Sequence, residues 1–108
     1  MLRYLARIAV HAASEEDYVK LHDRMASINF VRFIVGDDGR SHVLPDATYV
    51  CYSNESSVSL RDKIRLIIDQ TVPRFVAPLI LVGQLDAAAW TLPIEMPALR
   101  GLRNIRFI

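Results

Sequence analysis

The chain has 108 residues, 52% of them hydrophobic and 23% charged, which predicts one folded globular domain and excludes a disordered chain. Thirteen Lys and Arg against twelve Asp and Glu leave a net charge of +1, so nucleic-acid binding requires a local basic surface. The single cysteine, Cys51, excludes an intramolecular disulfide framework and a cysteine-based zinc site.

The first predicted element is a strand with one polar face. Between Leu2 and Val10 the even positions are apolar or aromatic, whereas the odd positions include Arg3 and Arg7, and His11 continues this row. A period of two is typical of a half-buried strand. We therefore expect one face of this strand to be basic.

A helix is predicted after the first strand. Ser14 stands three residues before Asp17, with two glutamates between them, an arrangement that predicts an N-cap with a capping box. The apolar residues that follow have helical spacing and predict one buried stripe, formed by Tyr18, Leu21, Met25 and Ile28. We interpret His22, beside Leu21, as a partly packed helix residue and not as a catalyst.

The second half of the chain repeats this pattern. Aromatic and β-branched residues predict strands at Phe30–Val35 and Thr48–Ser53, which we expect to pair across a polar connection. Ser59 and Asp62 predict the start of a second helix. Its buried stripe is predicted to contain Leu60, Ile64, Ile67 and Ile68. A fourth strand is predicted over Ala77–Leu85.

This order of elements, βαββαβ, predicts an α+β fold of the ferredoxin-like class, in which two helices cover one face of a four-stranded antiparallel sheet and leave the other face open. We assign residues 1–92 to this domain and residues 93–108 to a basic C-terminal tail. The last ten residues of the tail contain three arginines, Arg103 among them, and no acidic residue. Ile105–Ile108 is a candidate for an extra strand in this sheet or in that of a partner.

Three parts of the chain resemble a known family. They are Met25–Phe30, with the sequence MASINF, residues 34–39, with the sequence IVGDDG, and Leu44 before the strand that contains Tyr49. They resemble the small antitoxin endoribonucleases of type V toxin–antitoxin systems, the GhoS family, over residues 4–90. The resemblance implies a ferredoxin-like fold akin to that of the CRISPR adaptation nuclease. It also implies an activity that cuts the messenger RNA of a small membrane toxin.

The chain departs from the CRISPR relatives at the end of the first strand. There an Asp is implicated in a divalent-metal site, whereas residues 11–13 of this chain are His, Ala and Ala. A hard metal prefers oxygen ligands. Asp37 and Asp38 are adjacent acids between two glycines and are typical of a turn. We therefore expect neither a metal nor another cofactor.

RNA cleavage without a metal requires a base, an acid and a cation that stabilises the developing charge of the phosphorane. Histidine and arginine supply all three. The catalytic candidates are His11, His42 and Arg7. In the other interpretation, the arginines are solvated or paired with acids, His11 is the polar end of a strand and His42 is a solvated loop residue.

RNA binding calls for cations and an exposed aromatic ring on which a base can stack. The candidates are Arg3, Arg32, Tyr49, Ser53 and Arg103. Tyr49 and Tyr52 point to opposite faces of their strand, and we favour Tyr49 because it aligns with an aromatic residue of the family-like segment. The alternative is that both are ordinary strand aromatics, one in the core and one at a subunit contact.

The sequence thus leads to two functional hypotheses. The first is an antitoxin-like protein that binds RNA, such as a toxin mRNA, and whether it also cleaves RNA stays open. The second is a non-catalytic dimeric interaction module that binds a protein partner through its open sheet face or basic tail. We expect a homodimer in either case, because an open sheet face that carries apolar residues favours association. The chain has no run of apolar residues long enough to span a membrane and no signal peptide, so we expect a cytoplasmic protein.

Overall fold

The computed structural model describes residues 1–72 and 78–95. These residues form two helices, a three-stranded antiparallel sheet and a two-stranded hairpin, which confirms the α+β class. The strands are β1 (Leu2–Ala9), β2 (Phe33–Val35), β3 (Ser41–Val43), β4 (Thr48–Ser53) and β5 (Leu79–Gln84). The helices are α1 (Glu15–Ser27) and α2 (Ser57–Thr71).

Strand β1 occupies the centre of the three-stranded sheet. It pairs antiparallel with β4 on one side and with β5 on the other, so that Tyr4 lies opposite both Cys51 and Gln84. Tyr4, Ala6 and Ile8 of β1 are buried in the main core, as their spacing predicts, whereas Leu2 at the start of the strand is exposed. Residues of α1 and α2 belong to the same core, so both helices cover one face of the sheet.

Serine side chains cap both helices. In α1 the predicted capping box is confirmed: Ser14 Oγ accepts a hydrogen bond from the Asp17 N–H at 3.1 Å, and Asp17 Oδ2 accepts one from the Ser14 N–H at 2.9 Å. Helix α2 begins earlier than predicted, because Ser56 and not Ser59 is the N-cap, and its Oγ accepts from the Ser59 N–H at 3.1 Å. The predicted stripe of α2 is buried, with Leu60, Ile64, Ile67 and Ile68 in the main core.

The second predicted strand differs most from the structure. Instead of a ladder with β4, it forms a single antiparallel bridge between Val31 and Val50. The chain then turns away, and β2, the end of the predicted strand, pairs with β3, which lies in the segment that the sequence analysis treated as a loop. Gly39, at φ +79°, allows the tight turn, which the Gly36 N–H closes by donating to the Arg40 carbonyl at 2.9 Å. The described residues therefore form a three-stranded sheet where four strands were predicted.

The chain after β5 folds back over part of the other face of the sheet, so the prediction that this face is left open is wrong where Val50 is covered. The Leu85 N–H donates to the Arg3 carbonyl at 2.8 Å, and the Glu95 N–H donates to the Ser41 carbonyl at 2.8 Å. Between these points the chain contributes to a second cluster, which consists of Ile34, Leu44 and Val50 with Leu85, Trp90 and Leu92 packed against them. Hydrogen bonding to β3 thus continues past the predicted domain boundary at residue 92. Residues 96–108, with the predicted extra strand and Arg103, lie outside the described residues.

Candidate nucleic-acid interface

The face of the sheet opposite the helices carries two cations and an exposed aromatic ring. Arg3 and Arg7 occupy odd positions of β1, directly opposite Tyr52 and Thr48 of β4. Tyr52 is 58% exposed. The corresponding positions of β5 include the exposed Leu81, which lies opposite Arg7. No acidic residue occupies this face of β1, β4 or β5. We call Arg3, Arg7, Tyr52, Leu79 and Leu81 the open face. The chain after β5 covers Val50, which lies between these positions on the same side of the sheet.

The two arginines of the open face have no salt-bridge partner among the described residues. Arg7 Nη1 donates to the Asp46 carbonyl at 3.0 Å and to Thr48 Oγ1 at 3.3 Å, both of them uncharged acceptors. Within the described residues neither Arg3 nor Arg7 forms a salt bridge. The salt bridges found are Arg40–Asp38, Arg61–Asp62, Lys63–Glu55 and Arg65–Asp69. Lys20 and Arg24 of α1 likewise form no salt bridge in this part of the chain, so positive charge without a carboxylate partner lies on α1 as well as on the open face.

Arg32 does not share this surface. Val31 forms the bridge with Val50, so the side chain of Val31 lies on the open side and the residues on either side of it point toward the helices. Consistent with this placement, Phe30 is fully buried in the main core, and the charge of Arg32 acts on the hydroxyl of Tyr49. Arg32 is therefore on the opposite side of the sheet from Arg3 and Arg7.

The prediction that Tyr49 is a stacking platform is wrong. Its side chain is fully buried on the helix side of β4, where its hydroxyl lies 2.5 Å from His22 Nδ1. Burial raises the pKa of the phenol well above its usual value, so it stays protonated at neutral pH. Tyr52, three residues later on β4 and on the other face, is the tyrosine that a base can reach.

The predicted catalytic histidines occupy two different parts of the structure. His42 is a half-buried residue of β3, not a loop residue. Its ring packs edge-on against Trp90, with 5.7 Å between the ring centroids, and its Nδ1 lies 3.2 Å from the Leu92 carbonyl oxygen. His11 is exposed in the turn after β1. Ser53, a predicted phosphate ligand, uses its Oγ to accept from the Glu55 N–H at 3.0 Å. Arg7 shares no hydrogen bond with these residues in the described part of the chain.

Arg7 instead lies at a cleft with a histidine that the sequence analysis set aside. The cleft has a volume of about 160 Å³ and lies between α1 and the turn that precedes β4. Arg7, Tyr18, His22 and Asp46 contribute to its walls. The sequence contained a signal for His22. It follows Tyr18 by four residues, and this spacing places both side chains on the same side of α1.

Among residues 1–72 and 78–95, no three His, Cys, Asp or Glu side chains are arranged to hold a metal ion. Neither of the two described helices is long and apolar enough to cross a membrane. Comparison of the chain with protein-family models gave no match, and a search of curated proteins gave none either.

Proposed function

We propose that the chain is an antitoxin-like RNA-binding protein that binds single-stranded RNA on its open face. The observation that carries the proposal is the presence, on one side of one sheet, of an exposed tyrosine and two arginines that form no salt bridge within residues 1–72 and 78–95. The resemblance to antitoxin endoribonucleases supports the same function.

We also propose that the fold is a reduced ferredoxin-like domain. The strand order β4-β1-β5 is the order that this fold gives to its third, first and fourth strands. The bridge from Val31 to Val50 lies where the second strand of that fold would pair. The two helices pack on one face, as in ferredoxin-like domains.

The spacing of the arginines suits an extended RNA backbone. Arg3 and Arg7 are four residues apart on β1, a separation of roughly 13 Å along the strand. This distance is comparable with two successive units of an extended RNA chain. Each guanidinium offers a planar set of donors that matches a phosphate group. An RNA strand that contacts both arginines must pass over the fold-back, which covers Val50 between them.

The exposed tyrosine adds a surface for a base. Tyr52 lies directly opposite Arg3, so their side chains leave the sheet from neighbouring positions on the same face. A base stacked on an aromatic side chain contributes about 1–3 kcal/mol, and this contact tolerates any base. The open face thus combines phosphate contacts with stacking, which is how sheet-type RNA-binding domains hold single strands.

Binding is tested by fluorescence anisotropy with a labelled single-stranded RNA over a range of salt concentrations. For single strands, loss of one phosphate contact lowers the slope of log affinity against log salt by about 0.7, and we expect this change for Arg3→Gln and for Arg7→Gln. Tyr52→Ala should weaken binding with little change in the slope. Arg61→Gln is the matched control, because Arg61 is an exposed arginine paired with Asp62 on α2. An equal effect of the control would refute the proposed interface.

The open face also carries a feature that favours the non-catalytic interaction module. Leu79 and Leu81 of β5 are 71% and 66% exposed, and paired apolar residues on a sheet face are typical of protein contacts. Light scattering of the wild type and of Leu81→Glu, together with the RNA titration, separates the two functions. A dimer that Leu81→Glu dissociates, in a protein that binds no RNA, would replace our proposal with the module. Incubation with RNA in the presence and absence of EDTA shows whether binding is accompanied by cleavage.

A further inference from the structure

We propose that the outer edge of β5 is a dimer interface, on which β5 of a second copy of this chain pairs antiparallel. The two sheets then form one continuous sheet of six strands, three from each copy. This interface is a strand edge, whereas the sequence alone predicted a homodimer through an open sheet face. In the described part of the chain β5 pairs with β1 alone, so its other edge has no neighbouring strand. The inference goes beyond the proposed function and does not depend on RNA binding.

The pairing of β5 with β1 determines which backbone groups of β5 face its outer edge. The Leu85 N–H donates to the Arg3 carbonyl, and this pair continues the register of the two strands. Because hydrogen-bonded pairs alternate along an antiparallel ladder, the odd residues of 79–83 also bond to β1. The N–H and C=O groups of the even residues therefore point to the outer edge. These outward-facing residues are Ile80, Val82 and Gln84.

The sequence of β5 does not protect this edge. Natural edge strands avoid pairing with other chains through charged side chains, proline, bulges or a covering segment. Strand β5 has the sequence LILVGQ, with no charge and no proline, and it pairs with β1 at six consecutive positions without a bulge. Its side chains at Leu79 and Leu81 are 71% and 66% exposed. A regular, uncharged and exposed edge favours the addition of a further strand.

The direction of the backbone groups restricts how two copies of β5 can pair. Outward-facing residues must lie opposite outward-facing residues, so even residues pair with even residues across the edge. Directly opposed side chains of an antiparallel pair lie on the same face. The two open faces are therefore on one side of the joined sheet, and the helices of both copies are on the other.

A twofold axis at Leu81 gives the register with the best match of side chains. Leu81 then lies opposite its own copy, and Leu79 lies opposite Gly83 of the second copy. A Cβ built on Gly83 meets no atom within 4 Å, so the Leu79 side chain has space there. On the helix side, Ile80 and Val82 pack against the main core and lie opposite each other, which forms two apolar pairs.

The two neighbouring registers match less well. An axis at Val82 would place Ile80 opposite Gln84, an apolar side chain against a polar one. An axis at Ile80 would place Val82 opposite Pro78, which has no N–H to donate. The pairing centred on Leu81 is therefore the one that we test.

The joined sheet places Arg7 of both copies on one surface. Leu81 lies opposite Arg7 of β1, so one Arg7 flanks the central pair of leucines on each side. Three strand spacings separate the two arginines, a distance of roughly 14 Å. The dimer thus covers part of the exposed leucine surface and leaves the arginines at its two sides.

Self-association is measured by sedimentation velocity of the full chain from low to high micromolar concentrations, and we expect a reversible equilibrium between monomer and dimer. Val82→Pro removes an outward-facing N–H and leaves the bonds to β1 intact, which an edge strand tolerates. Because the interface is symmetric, two hydrogen bonds are lost, and the dimer should weaken about 10-fold or more. Tyr52→Pro is the matched control. The reciprocal bonds of Val50 and Val31 place the outward-facing groups of β4, and with them the Tyr52 N–H, at the opposite edge of the sheet.

Disulfide cross-linking tests the register independently. Leu81 and its copy form a non-hydrogen-bonded pair, with Cα atoms about 4.5 Å apart, a distance that a disulfide spans. Mild oxidation of Leu81→Cys should therefore give a covalent dimer. Leu79→Cys is the control, because Leu79 is more exposed than Leu81 but lies about 13 Å along the strand from its own copy. The native Cys51 is buried.

Several results would overturn the inference. A protein that stays monomeric at high micromolar concentration has no such interface, and protection of the outward-facing amides of β5 from hydrogen exchange in that monomer would mean that the chain covers its own edge. Equal weakening by Val82→Pro and Tyr52→Pro would also refute edge pairing. Cross-linking of Leu79→Cys as fast as that of Leu81→Cys would indicate packing between open faces instead. Far-UV circular dichroism confirms that each variant is folded, and if Val82→Pro does not fold, the two cysteine variants decide.

The outcomes for the dimer and for RNA are independent. An edge dimer that binds no RNA would keep this inference and refute the proposed function. A monomer that binds RNA through Arg3 and Tyr52 would do the reverse.

Discussion

The opposite environments of two tyrosines on one strand lead to a quantitative prediction. Tyr49 is fully buried, whereas Tyr52, three residues later on β4, is 58% exposed. Truncation of a large buried aromatic side chain removes its packing and leaves a cavity, so we expect Tyr49→Ala to lower the free energy of unfolding by about 3–5 kcal/mol. We expect Tyr52→Ala to lower it by less than about 1 kcal/mol, which reflects only the preference of aromatic residues for strands.

The hydroxyl of Tyr49 allows a finer measurement. Tyr49→Phe keeps the buried ring and removes only the hydrogen bond to His22, which should cost about 1 kcal/mol. Tyr52→Phe is the matched control, with an expected change within about 0.5 kcal/mol because its hydroxyl lies on an exposed side chain. We expect Tyr49→Phe to lower the urea concentration at the midpoint of unfolding without changing the m-value.

The assay is equilibrium urea unfolding of the four variants and the wild type, followed by far-UV circular dichroism. If Tyr52→Ala were as destabilising as Tyr49→Ala, the two faces of β4 would be assigned wrongly, and the open face would lose its aromatic residue. If Tyr49→Phe had no effect, the hydrogen bond to His22 would contribute nothing to stability, and the orientation of the histidine would need another cause.

Two further predictions concern the first helix and the free thiol. Ser14→Ala removes the acceptor for the Asp17 N–H and should lower the free energy of unfolding by about 1 kcal/mol. Ser14→Asp keeps an acceptor and should retain most of the stability of the wild type. Equal losses of stability for the two variants in urea unfolding would contradict the capping box. Burial, with a smaller contribution from Glu55, raises the pKa of Cys51 from 9.0 to about 11. Because the folded state disfavours the thiolate, this contribution to stability is complete below pH 9 and is lost as the pH rises toward about 11. Between pH 9 and about 11 the free energy of unfolding of Cys51→Ala should therefore fall less than that of the wild type. Identical pH profiles of stability would contradict the raised pKa of Cys51.

Much of the fold follows from local signals in the sequence. The period of two in β1, the capping box at Ser14 and the apolar stripe of α2 each depend on neighbouring residues, and the structure confirms them. The start of α2 was less certain because several serines precede it, and any of them can cap a helix. The structure selects Ser56, with Ser59 as the residue whose N–H it caps.

The predictions that were wrong concern features that depend on contacts between distant segments of the chain. Period-two spacing shows that Tyr49 and Tyr52 face opposite sides of β4, but residues 48–51 are all buried, because the fold-back after β5 covers Val50 from the other side. Local pattern therefore cannot tell which tyrosine is exposed. The three-residue strand β3 is equally hard to predict, since it is held by the short strand β2 and by bonds to Pro93 and Glu95 far along the chain.

The fold-back also determines what the intrinsic fluorescence of this protein reports. Trp90 is its only tryptophan, and it contacts His42 and belongs to the second cluster, on the far side of the sheet from the helices. Its emission is therefore sensitive to detachment of residues 85–95 from the hairpin, while the ellipticity near 222 nm follows the helices. Superimposable curves from these two signals would mean that both sides of the sheet melt as one cooperative unit.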